Sequence, residues 1–84
     1  MDITVYTKPE CVQCKYTKQL LDEKGLSYTE IDASPGTQAY GELQAKGITA
    51  LPYVVAGNQT WAGYHRDKLR GLPSIPGRAG HRDS

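Results

Sequence analysis

The chain has 84 residues, 38% of them hydrophobic and 23% charged, with a formal net charge of +1. That is enough for one small domain whose core supplies roughly 4–10 kcal/mol of net stability, and it excludes a second domain or a large buried cofactor. The near-neutral charge points to neither nucleic acid nor a membrane surface as partner, and no apolar run approaches the ~20 residues of a spanning helix.

Residues 2–6 alternate polar and apolar side chains and predict a strand. Thr7-Lys8-Pro9-Glu10 forms a turn, followed by Cys11-Val12-Gln13-Cys14, which holds the only two cysteines. From Val12 to Lys24 the apolar residues Val12, Tyr16, Leu20 and Leu21 follow helical spacing, and Gly25 predicts the stop. Leu26, Tyr28 and Ile31 predict a second strand over 26–31. Ser34-Pro35 predicts an N-cap with proline at the first helical position, opening a short helix that carries Ala39, Tyr40 and Leu43 and ends near Lys46-Gly47. Tyr53-Val54-Val55-Ala56 and Gln59-Thr60-Trp61-Ala62 predict two strands joined at the Gly57-Asn58 turn as a hairpin. Residues 66–71 predict a last helix with Leu69 and Leu72 turned inward and Asp67 as a candidate cap.

After Leu72 the pattern stops. Residues 73–84 hold two prolines, two glycines and one large apolar residue, and are expected to form a disordered tail beyond a single domain at 1–72. From residue 65 onward four arginines and one lysine face two aspartates, an excess of +3 that reads as a solvated surface. The order β-α-β-α-β-β-α predicts an α/β, thioredoxin-like fold: a mixed four-stranded sheet flanked by three helices.

Two cysteines separated by two residues, between a strand and a helix, predict a redox-active disulfide. Cys11 would lie at the helix N-terminus, where free backbone N–H groups favour negative charge. Lys8 and Lys15 add positive charge and Glu10 opposes them, so the Cys11 thiol pKa is expected near ~7 rather than about 8.5. Cys14, one turn further in, is the expected resolving thiol. A structural zinc site needs four ligands. The chain offers only Cys11, Cys14, His65 and His81, with the histidines too far apart in sequence for the usual spacing, so no metal is expected. The N-terminus has neither a basic segment nor an apolar one, which predicts a cytoplasmic protein, and a reducing compartment favours a catalytic pair over a structural one. Tyr6 and Tyr53 are expected in the core, and His65 on the surface.

Several stretches carry a resemblance. Val5-Tyr6-Thr7-Lys8-Pro9 leads into Cys11-Val12-Gln13-Cys14. Leu51-Pro52-Tyr53-Val54-Val55-Ala56-Gly57 follows, then Trp61-Ala62-Gly63-Tyr64 with Asp67-Lys68-Leu69 close behind. Over roughly residues 3–72 the chain resembles the NrdH-redoxins, glutaredoxin-like proteins that behave like thioredoxins. The resemblance implies a small cytoplasmic dithiol carrier, reduced by thioredoxin reductase and donating electrons to class Ib ribonucleotide reductase, with no bound cofactor beyond the Cys11–Cys14 disulfide; a monomer is the default for a carrier of this size. It makes Pro52 a cis-proline facing that disulfide, with the Leu51 backbone free to pair with an extended partner segment. It places Lys8, Val12, Gln13, Trp61, Gly63 and Tyr64 around the active face as partner contacts or support. Glutathione-using glutaredoxins usually carry Thr-Val-Pro and Gly-Gly-x-Asp. Here those places read Ala50-Leu51-Pro52 and Ala62-Gly63-Tyr64-His65, and His65 stands where relatives often have proline. A glutathione-dependent glutaredoxin is the alternative within the same chemistry, and a non-catalytic docking module is the alternative outside it.

Overall fold

In a computed structural model of the chain, residues 2–72 are described. The predicted tail at 73–84 lies outside them. The elements run β1 (Ile3–Thr7), α1 (Val12–Glu23), β2 (Thr29–Asp32), α2 (Gln38–Ala45), β3 (Tyr53–Ala56), β4 (Gln59–Ala62) and α3 (Arg66–Arg70). The sheet order is β2-β1-β3-β4. β1 runs parallel to β2, with Val5 opposite Glu30, and antiparallel to β3, with Val5 opposite Val54. β3 and β4 form the predicted hairpin.

Alternation along β1 and β3 sorts side chains onto two faces. Ile3 and Val5, with Val54 and Ala56, turn to one face and meet Leu21, Leu26, Trp61, Leu69 and Leu72 in the core. α1 and α3 pack together, while α2 touches β2. Tyr6 and Tyr53, expected in this core, sit on the other face. They are paired residues of β1 and β3, half-buried, with ring centroids 5.8 Å apart.

Several details differ from the sequence reading. The second strand begins at Thr29, because Leu26 belongs to the end of α1. Its N–H donates to the Leu21 carbonyl at 3.0 Å, and its side chain is buried there. α2 is capped by Thr37 and not by Ser34: Thr37 Oγ1 accepts the Tyr40 N–H at 3.1 Å. The Ser34 hydroxyl and N–H are instead taken up by the Asp32 carboxylate at 2.7 and 3.0 Å. Gly36 then turns through φ 96°, a left-handed conformation that no helix continues. α3 starts after His65, which makes no side-chain cap, and Asp67 lies in the first turn, where its charge suits the helix dipole. β1 is shifted by one residue, covering 3–7 and not 2–6.

Candidate active site

β1 delivers the chain to one end of the sheet, where Lys8-Pro9-Glu10 turns it into α1. Cys11 is the N-cap, in extended conformation (φ −107°, ψ 106°), and its Sγ accepts the Cys14 N–H at 3.1 Å. A sulfur in that position takes the place of the usual hydroxyl cap and sits among otherwise unpaired first-turn N–H groups. Cys11 and Cys14 are joined as a disulfide, with their Cα atoms 5.2 Å apart. Cys11 is half-buried, whereas Cys14 is only 2% exposed. One sulfur is therefore reachable from outside and the other is shielded.

The face around the disulfide is assembled from three distant segments. Pro52 is buried behind a cis Leu51–Pro52 bond, and its carbonyl accepts the Gly63 N–H at 2.7 Å. Gly63 adopts φ 87°, a conformation glycine takes at little cost, and this turns the chain after β4 toward the cysteines. The next N–H, that of Tyr64, donates to Gln13 Oε1 at 3.1 Å. One residue further on, His65 Nε2 lies 2.9 Å from the Ala62 carbonyl and closes the loop on itself. The predicted residues Gln13, Pro52, Gly63 and Tyr64 are thus brought together. Trp61 is 6% exposed and lies in the core, so it offers a partner almost no surface.

Val12 is 61% exposed and Tyr16 49%, the two large hydrophobic side chains left open to solvent among the described residues. Tyr16 stacks obliquely on Tyr64, with centroids 5.9 Å apart. Tyr16 was not singled out as a site residue by the sequence reading. The signal was present: Val12 and Tyr16 are four residues apart and share a stripe, whereas Cys14, Thr17 and Leu21 form the buried one.

On the other side of the disulfide a cavity of about 660 Å³ is lined by both cysteines, Thr7, Lys8, Lys18 and Glu30, among others. Lys18 Nζ and the Thr7 hydroxyl both donate to Glu30 Oε2, at 2.9 and 2.8 Å, and together they hold the Glu30 carboxyl below its ordinary pKa, Lys18 being the larger cause. The Asp32 carboxyl is lowered too, by its bonds to the Ser34 hydroxyl and N–H. Sequence reasoning missed this network, because its members lie on three elements with no local pattern in common. A smaller cavity of about 260 Å³ brings Lys8 and Leu51 together with Tyr40 and Leu43.

The glutaredoxin family model matches residues 3–61. This chain belongs to the glutaredoxin family. Within it, the chain is similar to the glutaredoxin-like protein NrdH of Escherichia coli K12, 36% identical over 76 residues that cover 90% of this chain and 94% of the relative. It is also similar in structure to the glutaredoxin-like NrdH-redoxin from Escherichia coli, a protein with a thioredoxin-like activity profile. That match has a TM-score of 0.81 and 36% identity, covering 90% of this chain and all of that one. A buckwheat glutaredoxin in complex with glutathione matches at a TM-score of 0.62 and 26% identity, covering 80% of this chain and 70% of the other. The redoxin is accordingly a thiol–disulfide oxidoreductase whose redox pair is Cys11–Cys14. No helix among the described residues is long and apolar enough to cross a membrane.

Proposed function

We propose that this redoxin is a cytoplasmic, monomeric electron carrier, reduced by thioredoxin reductase and serving class Ib ribonucleotide reductase. The observation that carries the reading is its 36% identity, over nine-tenths of the chain, to an NrdH-redoxin with a thioredoxin-like activity profile. In the reduced form the Cys11 thiolate attacks one sulfur of the target disulfide. The S–S bond breaks, a mixed disulfide forms, and the first target sulfur leaves as a thiolate and takes up a proton. Cys14 loses its proton and attacks Cys11 Sγ. The second target sulfur leaves and is protonated, and the electron pair has passed from the redoxin to the target. The difference in exposure between the two cysteines supports this division of labour.

The surrounding residues take supporting roles. Lys8 adds positive charge near Cys11 at the rim of both cavities. The Leu51 backbone beside Pro52 pairs with an extended segment of the partner. Val12 and Tyr64 present apolar surface to that partner. Gln13 and Gly63 hold the 62–65 loop against the cysteines, and Trp61 underpins it.

Trapping tests the roles: Cys14→Ser protein accumulates mixed disulfides with its targets and Cys11→Ser protein accumulates few, whereas equal trapping would overturn the assignment. The electron source is tested by NADPH oxidation with purified thioredoxin reductase, beside the same reaction with glutathione and its reductase. Turnover with glutathione alone would move the chain to the glutathione-dependent glutaredoxins. With insulin as the disulfide substrate, no reduction in either arm would favour a docking module.

A further inference from the structure

The buried face of α1 carries a hydroxyl that has no hydrogen-bond partner while Cys11 and Cys14 are joined. Thr17 is fully buried, at 0% exposure, and its Oγ1 has no hydrogen-bond partner. Buried polar atoms are nearly always paired, and an unpaired one destabilises the state that contains it. A threonine inside a helix commonly donates to the carbonyl four residues back, and here that bond is not made. A position that needed only volume would be served by valine, which has nearly the same shape and no polar atom.

What lies one turn away is Cys14. The two residues share the buried stripe of α1 at a spacing of three, where side chains are neighbours on one helix face. Cys14 is as shielded as Thr17, at 2% exposure, so little water reaches either group. In the disulfide, Cys14 Sγ has no proton to donate, its charge is zero, and its second bond goes to Cys11 Sγ. Reduction changes all of this. Two electrons and two protons enter, the S–S bond breaks, and Cys14 becomes a thiol that can donate to Thr17 Oγ1 or, when ionised, a thiolate that can accept the Thr17 O–H.

We propose that Thr17 is a positioning residue of the redox centre, its hydroxyl unpaired against the disulfide and paired with the Cys14 sulfur once the disulfide opens. The hydroxyl then disfavours the oxidised form and favours the reduced one, and both effects make the pair more readily reduced. The proposal rests on Cys11–Cys14 as the redox pair and on no particular protein partner.

The test uses wild-type, Thr17→Val and Thr17→Ser chains equilibrated in dithiothreitol buffers of fixed reduced-to-oxidised ratio, with the reduced fraction read by alkylation and intact mass. Thr17→Val is expected to shift the equilibrium constant about tenfold toward the disulfide, equivalent to about 30 mV in the reducing direction. Thr17→Ser, which keeps the hydroxyl, is expected to stay within about twofold of wild type, roughly 10 mV. A Thr17→Val constant within that twofold window overturns the proposal, as does a Thr17→Ser shift as large as that of Thr17→Val. Thermal unfolding gives an independent reading. Thr17→Val is expected to be at least as stable as wild type when oxidised and less stable than wild type when reduced. Failure of Thr17→Val to fold in the oxidised state would overturn the proposal by itself, because that is the state the substitution relieves. No partner enzyme enters either measurement, so failure of the ribonucleotide reductase reading would leave the result standing.

Discussion

The backbone N–H of Tyr64 donates to the side-chain oxygen of Gln13 at 3.1 Å, across 51 positions of sequence. This bond fixes the loop after β4 against the segment between the two cysteines. Only an acceptor is needed at position 13, and substitutions therefore separate its roles. Gln13→Ala removes the bond and is expected to lower stability by about 0.5–1.5 kcal/mol. Gln13→Glu keeps an acceptor and is expected to hold the loop, while its charge beside Cys11 raises the thiol pKa. Urea unfolding together with the pH dependence of alkylation checks both. Equal stability of Gln13→Ala and wild type would show that the bond contributes nothing.

Gly63 bears the other end of the same loop. A Cβ added there would lie 3.7 Å from Gln13 Oε1, so there is room for it. The cost lies in the backbone, at φ 87°. Gly63→Ala is expected to destabilise by about 1–2 kcal/mol, a fall in Tm of roughly 4–16 °C for a domain of this size. A change in Tm of under about 2 °C would show that the loop relaxes to another conformation without loss.

Val12 and Tyr16 separate binding from folding. Val12→Ser removes little buried surface and is expected to change stability by no more than about 0.5 kcal/mol, whereas Tyr16→Ala also loses the ring contact with Tyr64 and is expected to cost about 0.5–1.5 kcal/mol. Both are expected to raise KM for a protein disulfide while leaving reduction of a small aromatic disulfide unchanged. Parallel loss with both substrates would instead place the two side chains in the chemistry of the cysteine pair.

Much of this was legible in the sequence because it is local. Alternation gave β1 and β3, the β-formers around Gly57-Asn58 gave the hairpin, and the spacing of Cys11 and Cys14 before a helical pattern gave the redox pair and its place at a helix start. What sequence reading lost depended on competition or distance. Ser34 looks like a cap, but the Asp32 carboxylate holds its hydroxyl and Thr37 takes the role. Leu26 looks like strand, but it closes α1. The bond from Tyr64 to Gln13 and the Thr7–Glu30–Lys18 network join segments with no shared periodicity, so no window along the chain contains them.

Cys11 is expected to titrate well below a free thiol once reduced. Its sulfur already accepts the Cys14 N–H at 3.1 Å as the helix cap, an arrangement that favours the thiolate. The midpoint of iodoacetamide reactivity against pH is expected to lie below that of a free cysteine. Lys8→Ala is expected to raise that midpoint by less than about one unit, because the lysine is exposed and screened. A wild-type midpoint near about 8.5 would mean that the cap does not act on the thiol.

The Glu30 carboxylate links this face to acid stability. Lys18 and then Thr7 hold its folded pKa below the ordinary value of 4.5. A carboxyl depressed in the folded state contributes stability above its unfolded pKa, and that contribution is lost as pH falls through the folded value. The Lys18 and Glu30 side chains are 32% and 42% exposed, so screening limits the effect to no more than about 1 kcal/mol. Glu30→Gln is therefore expected to be less stable than wild type at pH 7 by up to that amount, with the gap closing as the pH falls below about 4. Asp32 is also lowered and its charge opposes the lowering of Glu30, so the gap between the two proteins carries the Glu30 contribution together with that mutual repulsion. Urea unfolding at pH 7 and pH 3 decides the matter: a gap of equal size at both would show that the side chain acts through shape and hydrogen bonding and not through its charge.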